Sequence, residues 1–347
     1  MKRILPVLFT VVLLAVMGLS AGCAPKSADC AEVNVFCVGL VTNLGRLQDR
    51  SYNQAAWDGL QQAKSAGSAD WIASIETVDV RDFGANIDIF AKAKYDAIVT
   101  VGASMLNVTV LAANTYPDIY FIGVDQDQSS NQEFNPNLVG LVFPQDQIGY
   151  LAGVLAASLT KTGQIGAVLG SDASPAMARY GQGFINGAAS VDPSIAPKIV
   201  YHNDVSVDKS IDDPEWGAKQ ANSLVDAEVD IVFGAGGSTG SNALVGAVMR
   251  GAYVIGADTD EYYALPVAAP HLYTSVVEMI AQGVADLIEA ARNAQNQTAG
   301  FPSGNYEGQV GLAPYHDLDS SIPDALKASM AELVQNLRSG DVQTGVP

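Results

Sequence analysis

Short runs rich in β-branched residues alternate with longer segments of helical periodicity along almost the whole chain. Such alternation is typical of βαβ units, in which strands pair in parallel and helices cover the sheet. We expect strands at about residues 34–42, 74–80, 96–101, 119–124, 138–143, 164–169, 198–201, 230–233, 253–256, 272–276 and 309–312. We expect helices that begin near Ser51, Asn86, Ser104, Gln147, Ser174, Pro214, Ser241, Val277 and Ile322. The sequence therefore predicts an α/β protein built on parallel sheets.

The length of the chain indicates two domains rather than one. Its 347 residues exceed the usual size of a single domain, and its 48% of apolar residues can form large cores. Two doubly wound, Rossmann-like halves of similar size fit the series of strands. A (β/α)8 barrel is the rival fold, and the number of strands does not exclude it. A polar stretch at residues 126–136 interrupts the alternation where a second domain would be entered, which favours two domains.

The charge of the chain argues against nucleic-acid binding. Lys and Arg total 18 against 37 Asp and Glu, so the formal net charge is -19. An acidic surface repels phosphate backbones, and the sequence shows no stripe of Lys and Arg that could release counterions. We therefore expect no nucleic-acid partner.

The N-terminus has the form of an export signal. Lys2 and Arg3 precede an apolar run at residues 4–19, and small residues follow the run. The run is shorter than the roughly 20 residues that span a bilayer. We expect residues 1–22 to be a cleaved signal peptide and the protein to be exported.

The residue that follows this signal, Cys23, indicates an anchor. Its setting resembles a bacterial lipobox, in which the cysteine is acylated and becomes the new N-terminus, although Ser20 stands where Leu is usual. We expect a lipidated linker at residues 23–33 that holds the protein on the outer face of the cell membrane. Plain secretion is the alternative.

Two further cysteines, Cys30 and Cys37, form an even pair in an oxidising compartment. A disulfide between them would tie the N-terminal segment to the first strand. In the other interpretation, Cys37 is a buried strand residue and Cys30 is a free thiol, although exposed thiols oxidise readily outside the cell. The sequence leaves both open.

The segment after the first strand carries the most specific motif. In an α/β sheet, the turn that leaves the carboxyl end of a strand faces the binding crevice, and a helix that opens there offers free N–H donors. Residues 43–59 resemble the signature of the basic membrane protein family of ABC-transporter solute-binding lipoproteins. Further blocks match in order at residues 121–125, 181–184, 236–237, 254–260, 273–277 and 311–312.

The resemblance implies a type I periplasmic-binding-protein fold. In that fold two Rossmann-like lobes with parallel sheets are joined by three crossovers and close over a ligand. The implied boundaries are residues 34–142 plus 273–312 for lobe 1, residues 143–272 for lobe 2, and a C-terminal segment at residues 313–347 that packs on the lobes.

The resemblance also implies roles for residues of the cleft. Tyr52 takes the place of an aromatic residue that stacks on a purine, Asn53 lies beside it, and Asp125 takes the place of a carboxylate that hydrogen-bonds the base. Residue types alone favour a simpler interpretation of Tyr52 and Asn53, the first turn of a helix with an aromatic side chain in the core. The expected ligand-binding residues are Asn43, Ser51, Tyr52, Asn53, Asp125, Gly236, Gly237, Ser238, Asn242, Asp258 and Glu278.

Three positions depart from the family pattern. Asn43 stands where the family has Asp, and Glu278 stands where the family usually has a Lys that contacts ribose. Leu244 stands where some members have a second stacking Phe. The resemblance implies a purine nucleoside as the ligand, and these departures keep a sugar or another small metabolite open.

The implied function is that of the solute-binding lipoprotein of an ABC importer. We expect it to capture a small polar ligand, to work with permease and ATPase subunits, and to be a monomer. We expect neither an enzyme nor a bound cofactor.

One motif suggests an enzymatic alternative. Residues 236–240 satisfy G-x-S-x-G around Ser238, and Asp258 or Asp260 and then His271 follow in the chain order of a hydrolase triad. A secreted serine hydrolase would need a hydrogen-bonded chain from Ser238 through an aspartate to His271.

Other chemistry has weaker support. The same glycine loop imitates a dinucleotide fingerprint, but its spacing is one residue too long. His202, His271 and His316 are scattered, and they form no closely spaced ligand pair. We therefore expect no metal site.

Overall fold

The computed structural model describes residues 30–32, 34–129 and 135–347, which form two α/β lobes. The predicted signal peptide and Cys23 lie outside the described residues. The first series of elements is β1 (Cys37–Leu44), α1 (Tyr52–Ala66), β2 (Trp71–Thr77), α2 (Phe83–Lys92), β3 (Ala97–Val101), α3 (Leu106–Thr115), β4 (Tyr120–Val124) and β5 (Leu138–Val142).

The second series begins with a helix and continues to the C-terminus. It contains α4 (Gln145–Leu159), β6 (Ile165–Leu169), α5 (Pro175–Val191), β7 (Lys198–Tyr201), α6 (Val207–Ser210), α7 (Pro214–Asp226), β8 (Ile231–Gly234), α8 (Gly237–Met249), β9 (Tyr253–Asp258), α9 (Glu261–Ala264) and β10 (Leu272–Glu278). The last elements are α10 (Ile280–Gln295), β11 (Gly304–Glu307), β12 (Val310–Leu312) and α11 (Asp324–Ser339).

Each lobe is built on one six-stranded sheet. The strand order is β11-β5-β4-β3-β1-β2 in the first sheet and β12-β10-β9-β8-β6-β7 in the second. Neighbouring strands are parallel, except that β12 runs antiparallel to β10. The chain crosses between the lobes three times, after β5, after β10 and after β11. The expected type I periplasmic-binding-protein fold is confirmed, and the barrel is wrong.

The central strands explain why the alternation in the sequence was informative. Every residue of β3 and of β6 is buried. Helices cover both faces of a parallel sheet, so its central strands are continuous apolar runs rather than alternating ones. These runs form the core of each lobe.

Two strands lie in a different lobe from the one expected. Residues 273–312 were expected in lobe 1, but β10 pairs with β9, and β12 pairs with β10, in the second sheet. Of this range, α10 and β11 belong to the first lobe. The C-terminal helix α11 packs on α4 and β12 of the second lobe. Local sequence does not specify these positions, because an apolar strand can pair at the free edge of either sheet.

The polar stretch at residues 126–136 does not mark the entry to the second lobe. Gln126 is buried, and its side-chain amide donates to the Thr100 hydroxyl of the first sheet at 3.0 Å. The backbone N–H of Gln128 donates to Asn305 of β11 at 2.8 Å. The sequence analysis missed β11 because Gly304–Glu307 has no apolar alternation; it pairs with the free edge of β5.

The start of the described chain is tied to the first sheet. Cys30 and Cys37 form a disulfide with their Cα atoms 5.7 Å apart. The described residues contain no helix that is both long enough and apolar enough to span a membrane.

Four glycines allow α4 and α5 to pack closely in the second lobe. A Cβ atom at any of them would lie 2.1–2.2 Å from a carbonyl oxygen of the opposite helix. Such a distance is shorter than any real contact, so the two backbones meet where side chains are absent. The glycines are Gly149 and Gly153 on α4 and Gly183 and Gly187 on α5.

This contact predicts a large loss of stability for Gly153→Ala. The added methyl group forces the helices apart, and we expect the free energy of unfolding to fall by about 1–3 kcal/mol. Gly84→Ala on α2 is the matched control, because no atom lies within 4 Å of its added Cβ. Alanine is the better helix former, so the control should gain up to about 1 kcal/mol. Urea unfolding measures both, and equal effects would contradict the packing argument.

Candidate functional site

Two aspartates occupy equivalent positions at the carboxyl ends of the sheets. The strands β4 and β9 are each third in the order of their sheet. Asp125 follows β4 and Asp258 ends β9, and both have positive φ, 55° and 68°. Side chains rarely permit this conformation, and residues held in it concentrate at functional sites. This edge of the two sheets is therefore the candidate site.

A cavity of about 90 Å³ at this edge is lined by both lobes. Small-molecule sites typically have roughly 300–1,000 Å³, so a ligand of nucleoside size needs the lobes to stand further apart. The residues that line the cavity are Ser51, Tyr52, Gly234, Ala235, Gly236, Gly237, Ser241, Ala257, Asp258, Thr259 and Glu261.

Two of the cavities larger than this one lie away from this edge, and a third, of about 370 Å³, is lined by Arg50 and Gln54 of one lobe and Asp260 of the other. One, of about 700 Å³, lies beside Cys30, Tyr95 and Ile119, at the amino ends of strands in the first sheet. The other, of about 680 Å³, lies beside Leu312 and Arg338. Because ligands of open α/β sheets bind at the carboxyl ends of the strands, the small cavity between the lobes is the better candidate.

Three carboxyl groups interact electrostatically with one another and with Tyr52 of the cavity wall: Asp125, Asp258 and Glu278, here called the acidic cluster. Burial, together with the charges of Asp258 and Asp127, raises the pKa of Asp125 to about 7. Burial raises the pKa of Asp258 to about 6, although a hydrogen bond from the Tyr180 hydroxyl opposes the shift. Burial, and then the charges of the other two members, raise the pKa of Glu278 well above its usual range.

Two tyrosines frame the acidic cluster. Tyr180 on α5 donates its hydroxyl to Asp258. Tyr52 on α1 faces Glu278 and stabilises its charged form by a side-chain hydrogen bond. Burial, and then the charges of the cluster, raise the pKa of both hydroxyls well above the ordinary value. Both tyrosines are therefore neutral hydrogen-bond donors in this site.

Asp49 fixes the helix that presents Tyr52. Its carboxylate accepts the backbone N–H groups of Ser51, Asn53 and Gln54, at 2.8–3.1 Å. These are free donors of the first turn of α1, and a carboxylate there is favoured by the helix dipole. The start of α1, and with it the ring of Tyr52, is thereby set at the edge of the cavity.

Asn43 and Asn53, both expected to bind ligand, organise the preceding loop. Asn53 is buried; its Oδ1 accepts the Asn43 N–H at 2.9 Å, and its Nδ2 donates to the Arg46 carbonyl at 3.3 Å. The Asn43 Oδ1 accepts the Leu44 N–H and the Ser104 hydroxyl. Neither asparagine lines the cavity. Their bonds shape the loop that leads to Tyr52.

The glycine loop contributes backbone rather than side chains. Gly236 and Gly237 line the cavity with positive φ, 100° and 57°, at the start of α8. Ser238 instead donates its hydroxyl to Asp212 at 2.9 Å. The Asn242 side chain donates to the Ser238 carbonyl at 2.9 Å, within the helix. Of the expected residues in this segment, the two glycines face the cavity.

The chain of hydrogen bonds that a hydrolase would need is not formed. The His271 Nδ1 lies 3.1 Å from the Ala252 carbonyl, and its ring stacks on Tyr253 at the amino end of β9. Ser238 lies beyond the carboxyl end of the neighbouring strand β8. The two residues therefore lie at opposite ends of the strands of the second sheet.

Sequence reasoning missed two titratable residues of the site, Tyr180 and Glu261. Glu261 accepts the Ser241 hydroxyl at 2.8 Å, and burial raises its pKa to about 7. Tyr180 directly precedes one of the matched blocks, at residues 181–184, which was the available signal. Glu261 gave none, since its burial depends on the packing of α9 against β10.

Among the residues that the structure describes, no three His, Cys, Asp or Glu side chains are grouped so that they could hold a metal ion.

A family model matches most of the chain, and relatives and solved structures are similar to it. The family model of Bmp, the PnrA-like ABC transporter substrate-binding proteins, matches residues 36–321. A CD4+ T-cell-stimulating antigen of Listeria innocua is 27% identical, with 92% of this chain and 90% of that protein covered. The ABC transporter nucleoside-binding protein BmpA of Lactococcus lactis is 27% identical over 76% of this chain and 75% of its own. A solute-binding protein of Conexibacter woesei has a TM-score of 0.70 at 21% identity, covering 90% of this chain and 99% of its own.

The acidic cluster predicts that stability without ligand falls between about pH 5 and pH 8. Unfolded carboxyls titrate near pH 4, whereas the folded-state pKa is about 7 for Asp125 and about 6 for Asp258. The folded state therefore binds more protons in this window; its extra stability is complete below about pH 4 and is lost as the pH rises through these values. We expect a fall of about 2 kcal/mol or more in the free energy of unfolding, measured by urea denaturation.

Two variants test this assignment. Asp258→Asn removes one of the titrating groups, and Asn tolerates positive φ, so the fall should become smaller. Asp70→Asn is the control, because the hydrogen bond from Arg292 lowers the pKa of Asp70 and it titrates below the window. A wild-type stability that is constant or rises from pH 5 to pH 8 would show that the cluster is not buried as described.

Proposed function

The chain belongs to the Bmp family of PnrA-like ABC-transporter substrate-binding proteins, and on this premise we propose that it captures a purine nucleoside between its two lobes. Proteins of this kind act outside the cytoplasm with permease and ATPase subunits. We propose that a lipid on Cys23 holds this one at the outer face of the cell membrane. The protein is proposed to bind and deliver its ligand without chemical change.

The observation that carries the proposal is the composition of the edge between the lobes. Tyr52 from the first lobe and Asp258 from the second line one cavity, with Asp125 at the equivalent position of the first sheet. A tyrosine ring offers a flat face to a base, and a carboxylate accepts directional hydrogen bonds from amine or amide donors. Closure of the lobes would exclude water and strengthen these bonds.

The nucleoside is supported by two further points. The relative from Lactococcus lactis is named as a nucleoside-binding protein. The backbone N–H groups at Gly236 and Gly237, at the start of α8, suit the oxygen atoms of a sugar. A sugar or another small metabolite on the same fold is the alternative within transport.

A purine nucleoside should raise the melting temperature, and Tyr52→Ala should abolish the increase. Ligand at a hundred times its Kd stabilises the folded state by about 2.7 kcal/mol, and removal of the ring removes the stacking contact. Differential scanning fluorimetry with adenosine, guanosine and inosine measures the shift. Tyr253→Ala is the matched control: Tyr253 stacks on His271 and Tyr273 at the opposite end of the second sheet, so the shift should persist.

Two results would contradict parts of this proposal. Stabilisation by free sugars but by none of the nucleosides rejects the ligand and leaves the transport role intact. Turnover of an ester substrate that Ser238→Ala abolishes rejects the transport role and supports the hydrolase.

A further inference from the structure

The acidic cluster lacks a compensating positive charge. The described groups that act on Asp125, Asp258 and Glu278 are each other, Asp127 and the hydroxyls of two tyrosines, and they include no Lys, Arg or His. Buried carboxylates are normally paired with a cation or a full set of hydrogen bonds, because desolvation of an unpaired charge is costly. The cluster therefore suits a bound partner that carries a positive charge.

A separate observation, on the hydrogen bonds of Glu278, also indicates that the described chain does not fully satisfy the cluster. The residue is 7% exposed, and its Oε2 atom is buried without a hydrogen-bond partner. It lies at the end of β10, where the chain crosses to α10 of the other lobe. Glu278 lies beside Tyr52, which lines the cavity, so its Oε2 is a hydrogen-bond acceptor that the described chain leaves unused next to the cavity.

We propose that the ligand carries a protonated amine, held by Glu278 together with Asp258 and Asp125. The inference rests on the proposed function and changes its ligand class: a nucleoside that carries an alkyl amine, or another small arylalkyl amine, in place of a neutral nucleoside. The ammonium group donates up to three charge-assisted hydrogen bonds, which satisfies Oε2 and neutralises part of the cluster. The ring of Tyr52 lies beside the same cluster and is suited to an aromatic ligand or to the cation itself.

An organic cation fits this geometry better than a metal ion. Metal binding needs several ligand atoms that converge on one point within about 2.0–2.6 Å, and no such group of three is present among the described residues. An ammonium group binds carboxylate oxygens at about 2.7–2.9 Å. It can bind one or two of the carboxyls directly, while the charge of the remaining carboxyl acts on it over a longer distance. The neutral hydroxyls of Tyr52 and Tyr180 complete the polar surroundings.

Binding of a cation should expel protons. Without ligand, the raised pKa values keep part of the cluster protonated near neutral pH. A positive charge favours the ionised carboxylates, so these protons pass to the buffer when the amine binds. The titratable groups that act on the cluster are Tyr52 from α1, Asp127 after β4 and Tyr180 from α5, and Glu261 of α9 interacts with Asp258.

The test compares matched pairs of ligands that differ in charge. The pairs are 5′-amino-5′-deoxyadenosine with adenosine, and tyramine with tyrosol. Isothermal titration calorimetry near pH 6.5, in two buffers of different ionisation enthalpy, gives Kd and the number of protons released. We expect the amine of at least one pair to bind about tenfold tighter or more than its neutral partner, as for a charged hydrogen bond, with proton release for the amine alone.

Glu278→Gln keeps the size of the side chain and removes its charge, so the preference for the amine should fall to about threefold or less. Asp96→Asn is the control for net charge. This half-buried carboxyl lies before β3, at the amino ends of the strands, and accepts hydrogen bonds from the Cys37 N–H and the Gln295 side chain. It should leave the preference unchanged. Stability of the ligand-free Glu278→Gln protein should exceed that of wild type near pH 8, which tests the unpaired charge without any ligand.

The outcomes separate the two proposals. Equal or tighter binding of the neutral partners in both pairs overturns the amine and leaves ligand capture standing. Binding of the tyramine pair alone, with the amine preferred, retains the amine and overturns the nucleoside. If magnesium or calcium chloride stabilises the protein as much as the amine does, the amine is overturned in favour of a metal cation. Failure of all four compounds to bind overturns both proposals.

Discussion

The carboxyl ends of two parallel sheets meet at one edge, and this constraint determines the chemistry of the molecule. Both sheets have the same strand order, so equivalent strands β4 and β9 end in Asp125 and Asp258. Once the lobes enclose these residues, water no longer screens their charges, and their pKa values rise. The site is therefore a place where like charges are held together by the fold of the rest of the chain.

The energy that holds these charges comes from elsewhere in the lobes. The continuous apolar strands form the cores, and the four glycines of α4 and α5 allow the second lobe to pack at backbone contact. Tyr180, which donates to Asp258, lies on that same closely packed helix α5. Rigid packing fixes the tyrosine, and through it the carboxyl, so stability and the geometry of the site are connected.

Several residues of the two loop motifs, at residues 43–59 and 236–242, stabilise the loops of the protein itself. Asn53, Asn43, Ser238 and Asn242 all make hydrogen bonds to nearby backbone or side chains and shape the loops. A motif made of such residues can therefore specify the conformation of a loop as well as the binding of a ligand. Sequence cannot separate these roles, because a short polar residue at a turn can bond its neighbours or a ligand with equal ease.

The sequence by itself determined the α/β class, the positions of eleven of the twelve described strands, the family and the segments that end at the cleft. These follow from local periodicity and from motifs, which depend on neighbours in the chain. Tertiary structure alone decided that β10 and β12 belong to the second sheet, that the polar β11 completes the first, and that Tyr180 and Glu261 join the site. It also decided that one carboxyl oxygen of Glu278, Oε2, is buried without a hydrogen-bond partner. Pairing at a sheet edge and burial of a charge depend on residues far apart in the chain, and no local pattern records them.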